Sequence, residues 1–374
     1  MPRSMPKSLR WATSLAITAV SLTLAYAPLP GFRQTLIVVS GSELKEPLTA
    51  LEAQFEQQYR DIDLKIEIQG SQDMMENYRL GRNDFTATVL LPADDQLLNE
   101  LEQRWQRDNP SGPALWATEP QPIAKTRLVA VAWPDRGQVL FPQGQFQWQR
   151  LSTLLAADRR WEAIGGPPAW GSFDLLMTDP SRSHSGQLSL SLWLQQSLGQ
   201  DNLDPSSFQS PQAQTLLSQV KKALYQPAPS TDLLLQQFIT QGPNNADLAL
   251  VYESIALYRW SQAQTSQNTA YQIYPLNPTL ETVVTGAVLR PGNSRRTLQA
   301  GRAFLQFLQE SAQQQHFVTY GFRPLDDTID LTTLPNSPWS QNIPGAQIQL
   351  SGTVSTAPSD AIRSALIEAW QQVQ

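Results

Sequence analysis

The sequence of 374 residues contains no cysteine and only two histidines. The missing thiols exclude disulfides, thiol catalysis, cysteine-ligated metals and lipid attachment at an N-terminal cysteine. His184 and His316 lie far apart in the chain, which leaves a zinc site or a catalytic triad with little support. We therefore expect no metal site, no cofactor and no enzymatic activity.

The chain also lacks runs of lysine or arginine and any glycine-rich motif that cradles phosphate. A net charge of -6 argues against a nucleic-acid surface. The composition, 41% hydrophobic and 16% charged, is typical of a soluble globular protein after its first segment. The length is sufficient for two compact domains, each with its own core.

The N-terminus has the layout of a secretory signal. Three basic residues precede a mostly apolar stretch, Trp11 to Ala27. Ala25-Tyr26-Ala27 fits the small-x-small cleavage pattern, but Pro28 would follow the cut directly. Residues 1–31 are thus either a signal peptide or a retained membrane anchor. In both cases the body lies outside the cytoplasmic membrane, in the periplasm, secreted or anchored to the membrane's outer face.

The stretch from Thr35 to Ser71 predicts a strand–helix–strand unit. Thr35 to Val39 is an unbroken apolar run, typical of a strand buried in a parallel sheet. Leu44, Leu48, Leu51, Phe55 and Tyr59 then recur at helical spacing, and Leu64 to Ile68 alternates like a strand. The polar turns of such a unit meet at the carboxyl edge of the sheet, where open α/β folds bind ligands.

Four times along the chain an apolar strand gives way to a short polar turn that opens a helix. The turns are Ser40 to Ser42, Gly70 to Gln72, Ser183 to Gly186 and Tyr252 to Ser254. A helix start offers free backbone N–H groups and the positive end of a dipole, and serine adds a hydroxyl. Singly, each serine is explained equally well as a helix cap. Later in the chain, we predict helices from Arg302 to Gln314 and from Ser359 to Gln372.

The order of these turns resembles a known family. Ser40-Gly41-Ser42, Gln69-Gly70-Ser71, Ser185-Gly186, Tyr252-Glu253-Ser254 and Tyr320-Gly321-Phe322-Arg323-Pro324 occur in the order found in bacterial extracellular solute-binding proteins. The chain is similar to the family containing the molybdate-binding proteins, particularly the solute-binding-like modules that precede von Willebrand factor A domains. The resemblance covers roughly Arg33 to Trp370. It rests on the order and spacing of these short motifs.

The resemblance implies an α/β fold of the type II periplasmic-binding kind, with two lobes joined by a hinge of two crossings. Lobe 1 would span residues 32–121 and 276–325, lobe 2 residues 122–275, and a C-terminal wrap with a final helix residues 326–374. By family analogy, the ligand-binding donors are Ser42 or Ser40, with Ser71, Ser185, Gly186 and Tyr252.

Glu253 departs from the family pattern, because it puts a carboxylate where an oxyanion pocket prefers a small neutral residue. If Glu253 faces the cleft, it belongs to the site, and its charge would oppose an anion. An amine, a metal ion or no small ligand would then fit better. If it only occupies the first turn of the helix, an oxyanion remains compatible.

Other polar residues are interpreted structurally. His184, between two serines on one turn, is interpreted as a surface loop histidine, because sequence neighbours seldom point at each other. Asp94-Asp95 is interpreted as a helix start.

The function predicted is an extracytoplasmic solute-binding protein that holds a small ligand, such as an oxyanion, between two lobes for an ABC-type importer. Its partners would be the ligand, an ABC permease, and the membrane if residues 1–31 are retained. The rival prediction is a membrane-anchored interaction or sensing module that keeps the fold without binding a transport ligand.

Overall fold

The computed structural model describes residues 33–224, 226–349 and 352–373. The predicted signal peptide or anchor, residues 1–31, lies outside the described residues. The strands, in chain order, are β1 Gln34–Ser40, β2 Ile62–Ile68, β3 Val89–Leu91, β4 Gln121–Ala132, β5 Leu175–Leu176, β6 Leu248–Tyr252, β7 Gln272–Pro275 and β8 Glu281–Val288.

The α-helices of the described residues lie on both faces of the sheet strands. In chain order they are α1 Lys45–Gln58, α2 Ser71–Arg79, α3 Asp95–Asp108, α4 Pro134–Leu140, α5 Trp148–Ala156, α6 His184–Leu198, α7 Pro211–Ala223, α8 Thr231–Gln241, α9 Glu253–Tyr258, α10 Trp260–Gln267, α11 Arg295–Gln309, α12 Ser311–Thr319 and α13 Asp360–Gln372. Short 3-10 turns occur as well, including Ser42–Leu44 and Pro338–Ser340.

The predicted strand–helix–strand unit is present at the start of the fold. β1 lies between β2 and β3 and is parallel to both. Its residues Leu36 and Val38 are buried in one core with Leu48, Leu51 and Phe55 of α1. The apolar spacing recognised in the sequence therefore matches the buried face of α1, as expected for an amphipathic helix on a sheet.

One long strand, β4, joins two sheets. Its first half, through Arg127, pairs antiparallel with β8, and its second half, from Leu128, pairs antiparallel with β6 and β7. The full strand order is β2-β1-β3-β8-β4-β6-β5, with β7 beside β4. The chain returns through residues 276–280, next to the same point. We call residues 33–127 and 281–323 lobe 1, and residues 128–275 lobe 2.

The predicted helix from Arg302 to Gln314 is wrong in its limits. The structure has two helices instead, α11 and α12, separated at Glu310. The backbone of Glu310 is extended, with φ -64° and ψ 148°, and this conformation ends the hydrogen-bond ladder of α11. The apolar residues Phe304, Phe307 and Leu308 all lie before Glu310, so the apolar pattern in the sequence gave no signal for the break.

The C-terminal segment runs back across the hinge and ends on lobe 2. The Thr279 N–H donates to the Thr353 carbonyl at 3.0 Å, and the Ser355 N–H donates to the Thr279 carbonyl at 2.8 Å. α13 packs on α6 and α7, and Leu366 and Trp370 join the core of lobe 2. We call residues 324–373 the C-terminal strap.

Gly345 of the strap lies against the backbone of β7, where a side chain would not fit. Its φ is +84°, and a Cβ there would lie 1.7 Å from the Ile273 carbonyl oxygen. Gly144 has a similar φ of +71° with nothing within 4 Å of its Cβ position. Gly144→Ala should cost about 1 kcal/mol for backbone strain alone. Gly345→Ala should cost about 2 kcal/mol more because the strap must move.

Urea denaturation of both variants measures this difference in the free energy of unfolding. Equal losses for the two alanines would show that the strap does not approach β7 as closely as described.

Candidate functional site

The two lobes are in direct contact where helix-opening turns from each lobe meet. A Cβ on Gly70 would lie 2.8 Å from the Arg182 carbonyl oxygen and 2.9 Å from that of Pro229. Beside it, the Gln72 side-chain amide donates to Gln187 at 2.7 Å. The turn before α2 in lobe 1 thus packs against the turn before α6 in lobe 2, and only glycine fits at this position.

Ion pairs flank this contact on two sides. The Arg182 guanidinium of lobe 2 donates to the Asp73 carboxylate of lobe 1 at 2.8 and 3.0 Å. On the other side, Arg259 of lobe 2 lies 3.7 Å from Glu46 of lobe 1. The structure is therefore a closed form in which opposite charges lie across the gap between the lobes.

Glu43 lies at the centre of the contact with its carboxylate buried. A Cβ on Gly41 would lie only 2.4 Å from one carboxylate oxygen of Glu43, so a residue without a side chain leaves room for this oxygen. That oxygen, Oε1, has no hydrogen-bond partner. Burial, and to a smaller extent the charge of Asp232, raises the pKa of Glu43 to about 7, although a backbone N–H opposes the shift. Near neutral pH this carboxyl is poised between its two protonation states.

Asp94 and His184 meet across the lobes. His184 Nε2 is 3.7 Å from Asp94 Oδ2, and both side chains are buried. Asp94 also caps α3 by accepting from the Gln96 N–H at 2.9 Å. Burial acts to raise the pKa of Asp94, but His184, together with Asp95 and the Gln96 N–H, lowers it, so the pKa lies below its usual value. Asp94 therefore stays ionised inside the contact.

Tyr252 completes the central group from lobe 2. It is the last residue of β6, only 1% exposed, and its hydroxyl has no hydrogen-bond partner. Burial, followed by the nearby negative charges of Glu43 and Asp94, raises its pKa well above the ordinary value. The phenol is thus neutral and close to both carboxylates. We call Glu43, Asp94, His184 and Tyr252 the central cluster.

The predicted donors of lobe 1 are buried at the same face. The Ser40 hydroxyl donates to the Gly41 carbonyl at 3.2 Å, and the Ser71 hydroxyl accepts from the Ala93 N–H at 3.1 Å. Ser42 does not take the capping position suggested by the sequence, because it lies inside the 3-10 turn Ser42–Leu44. The backbone that carries these serines reaches the contact, while the hydroxyls of Ser40 and Ser71 have partners within lobe 1.

The predicted donors at the start of α6 are also engaged within their own lobe. The Ser185 hydroxyl shares hydrogen bonds with Thr178 at 3.0 Å, Ser183 at 3.1 Å and Thr231 at 2.7 Å. A Cβ on Gly186 would lie 2.5 Å from the Thr178 carbonyl oxygen, which explains the glycine by close packing. These residues position the first turn of α6 beside the contact.

Glu253 is bound by two arginines at the hinge. Its Oε1 accepts from Arg127 Nε at 3.1 Å and from Arg323 Nη2 at 3.0 Å, and its Oε2 accepts from Arg323 Nε at 2.9 Å. All three side chains are buried. Of the two alternatives left open by the sequence, the geometry matches the one in which Glu253 belongs to the first turn of α9 and leaves the ligand's charge undetermined.

Sequence reasoning missed three members of the central cluster. The interpretation of His184 as a surface histidine is wrong, since it is 1% exposed and lies between the lobes. A signal for Asp94 did exist: β3 followed by a capped helix repeats the strand–turn–helix pattern of the four turns. Nothing in the local sequence distinguishes Glu43 from an ordinary acidic residue in a first turn.

The described residues were also compared with the requirements for a metal site and for a membrane-spanning helix. Among them, no three His, Asp or Glu side chains are grouped closely enough to hold a metal ion. No helix there has the length and apolar character needed to cross a bilayer.

The fold and the closed gap between two hinged lobes define a two-lobed binding protein. The sequence pattern described as "bacterial extracellular solute-binding protein" matches residues 36–323, more than half of the chain. The chain belongs to this family, and the predicted resemblance is confirmed. Among curated protein sequences, none is significantly similar to it.

Solved structures show the same fold at low sequence identity. The sulfate-binding protein SubI from Mycobacterium tuberculosis H37Rv has a TM-score of 0.56 at 14% identity, covering 81% of this chain and 93% of its own. The ferric binding protein from Campylobacter jejuni has a TM-score of 0.58 at 10% identity, with coverages of 90% and 97%. The Azotobacter vinelandii periplasmic molybdate-binding protein has 0.50 at 13%, with 78% and 100%. The predicted type II periplasmic-binding fold is confirmed.

The raised pKa of Glu43 makes stability depend on pH. Below about 4.5 this carboxyl is protonated in both the folded and the unfolded chain. As pH rises from about 4.5 to about 7, the unfolded chain loses the proton while the folded chain retains it. Stability from this group therefore falls across that window, by about 3 kcal/mol at most, and is constant above it.

Urea denaturation at pH 5, 6, 7 and 8 tests this, because Glu43→Gln should remove that part of the pH dependence and unfold later than the wild type at pH 8. Glu67→Gln, at an exposed position of β2, is the matched control and should leave the profile unchanged. Parallel profiles for the wild type and Glu43→Gln would contradict the burial of an ionisable Glu43.

Proposed function

We propose that the protein is an extracytoplasmic solute-binding protein that holds a small ligand between its lobes and delivers it to an ABC-type importer. The observation that carries the proposal is the central cluster, where helix-opening turns of both lobes enclose buried polar atoms without protein partners. Hinge motion at β4 and residues 276–280 would open and close the gap. The ligand would replace its hydration shell with these groups.

Family membership supports transport as the context, and the neighbours' names supply ligand types to test: sulfate, molybdate and ferric ion. An oxyanion would gain from the helix N-termini at the gap. It would also meet the negative charges of Glu43 and Asp94 in a buried setting, which opposes its binding. Calorimetric titration with molybdate, tungstate, sulfate and phosphate tests whether the ligand is an oxyanion. The absence of binding for all four would contradict that hypothesis.

Gly70 provides a test of closure itself. Gly70→Ala and Gly70→Val should open the gap in increasing order, because each added group overlaps the carbonyls of Arg182 and Pro229. The φ of Gly70 is -61°, so the backbone accepts either side chain without strain. Cysteines introduced at exposed Gln57 and Lys222 can carry spin labels, since the native chain has no thiol. Their distance distribution should broaden towards larger separations, and affinity for any ligand that closes the gap should fall about tenfold or more.

Thermal melts serve as the control for this series, because the lobes themselves should remain folded. Unchanged distances in well-folded Gly70→Val would mean that the lobes do not meet at this contact in solution.

A second candidate function is a closed interaction or sensing module, and the C-terminal strap favours it. Arg363 of α13 is 2% exposed and donates to Glu100 of lobe 1 at 3.1 Å, and also to Gln96, Asp360 and the Pro358 carbonyl. The rest of α13 packs on lobe 2. The strap therefore ties the two lobes together independently of any ligand.

Arg363→Met should destabilise this tie strongly. Glu100 keeps its pair with Arg104, so the variant loses the buried hydrogen bonds of Arg363 and should cost about 1–3 kcal/mol. Arg296→Met removes an exposed pair with Asp61 and should cost less than about 1 kcal/mol. Hydrogen exchange should rise in α13 for the first variant only, and the spin-label distance should lengthen.

If the wild type stays closed without ligand and only Arg363→Met opens, the module function is favoured. Free opening of the wild type would favour transport.

A further inference from the structure

The central cluster contains more unpaired polar atoms than a protein interior normally tolerates. Glu43 Oε1, the Tyr252 hydroxyl and both ring nitrogens of His184 are buried without hydrogen-bond partners. Buried polar groups in folded proteins are nearly always paired, because an unpaired one forfeits its hydration. These atoms come from both lobes, so a partner that satisfied them would sit in the gap.

The charge balance around these atoms is negative. Glu43 and Asp94 come from lobe 1, and Asp232 of α8 lies near Glu43. Arg259 is already engaged, because it donates to Asp232 at 2.7 Å and to Gln262 at 2.8 Å. His184 faces Asp94. A positive group entering the gap would be attracted to it, and an anion would be repelled.

We propose that the central cluster binds a protonated amine, a choice of ligand class that rests on the proposed function in the preceding subsection. An ammonium group carries three N–H donors and no acceptor. The cluster offers it a carboxylate oxygen of Glu43, the phenol oxygen of Tyr252 and the ring nitrogen of His184 that carries no proton in the neutral imidazole. The carboxylates of Glu43 and Asp94 supply the counter-charge, so the hydrogen bonds are charge-assisted.

Binding of the amine also displaces a proton. The group that releases it is the Glu43 carboxyl, which lies near Asp232 of α8 and Tyr252 of β6. Tyr252 is also near Asp94, which lies 3.7 Å from His184 of α6, and Arg259 is held by Asp232 with Glu46 beyond it. A cation favours the ionised form of this carboxyl, whose pKa without ligand is about 7. Affinity should therefore be about tenfold weaker at pH 6 than at pH 8, where the amine itself stays protonated.

The experiment is calorimetric titration of the full chain with methylammonium, ethanolammonium and putrescine, and with sulfate, molybdate and Mn²⁺ as competitors of other classes. Titration in two buffers of different ionisation enthalpy counts the protons released. We expect amine binding at pH 8, release of about half a proton per amine at pH 7, where about half of the Glu43 carboxyls carry one, and a loss of about tenfold or more in affinity for Glu43→Gln. Glu67→Gln, with the same chemistry on an exposed strand, should bind like the wild type.

The outcomes separate the two proposals. An oxyanion or Mn²⁺ that binds and closes the gap while the amines do not would overturn the amine and leave the solute-binding function intact. Amine binding that is unaffected by Glu43→Gln would also overturn the inference, since the amine would then bind elsewhere. If no probe binds and the spin-label distance never changes, both the amine and the solute-binding function fail.

Discussion

The architecture depends on one strand being shared by two sheets. β4 gives its first half to lobe 1 and its second half to lobe 2, and the change occurs between Arg127 and Leu128. Arg127 is also one of the two arginines that hold Glu253, the first residue of α9. The crossing point is therefore fixed by a buried charge network, whose separate members would be costly to leave unpaired.

Because the crossing between the lobes is fixed, the residues that line the closed gap determine how stable the closed form is. Closure brings opposite charges together at the flanks, Arg182 with Asp73 and Arg259 with Glu46. At the centre it buries Glu43 and Asp94, which loses hydration energy. A ligand stabilises the closed form only by as much as it prefers that form over the open one. The flanks thus favour closure in general, while the centre sets which ligand charge favours it most.

The sequence predicted what local pattern determines. β1 and α1 follow from apolar spacing, the start of α2 follows from its polar turn, and the order of the turns revealed the family and the fold. The roles of individual side chains did not follow, because their partners are distant in sequence. Glu253 is 126 residues from Arg127 and 70 from Arg323. In the same way, the sequence around His184 predicted a loop residue, because its neighbour Asp94 belongs to the other lobe and is distant in sequence.

The C-terminal strap contacts both lobes and therefore restrains the opening of the gap between them. Its residues 353–355 pair with Thr279 at the return crossing, and Arg363 reaches across to Glu100 of lobe 1. Opening the gap must therefore break the Arg363 contact or carry the strap along with one lobe. Because a buried ion pair resists separation once its hydration is lost, the strap adds to the flank pairs in favouring closure. In the proposed solute-binding role, a ligand would enter only when these contacts open, so the strap would slow ligand exchange without changing which ligand charge the closed site prefers.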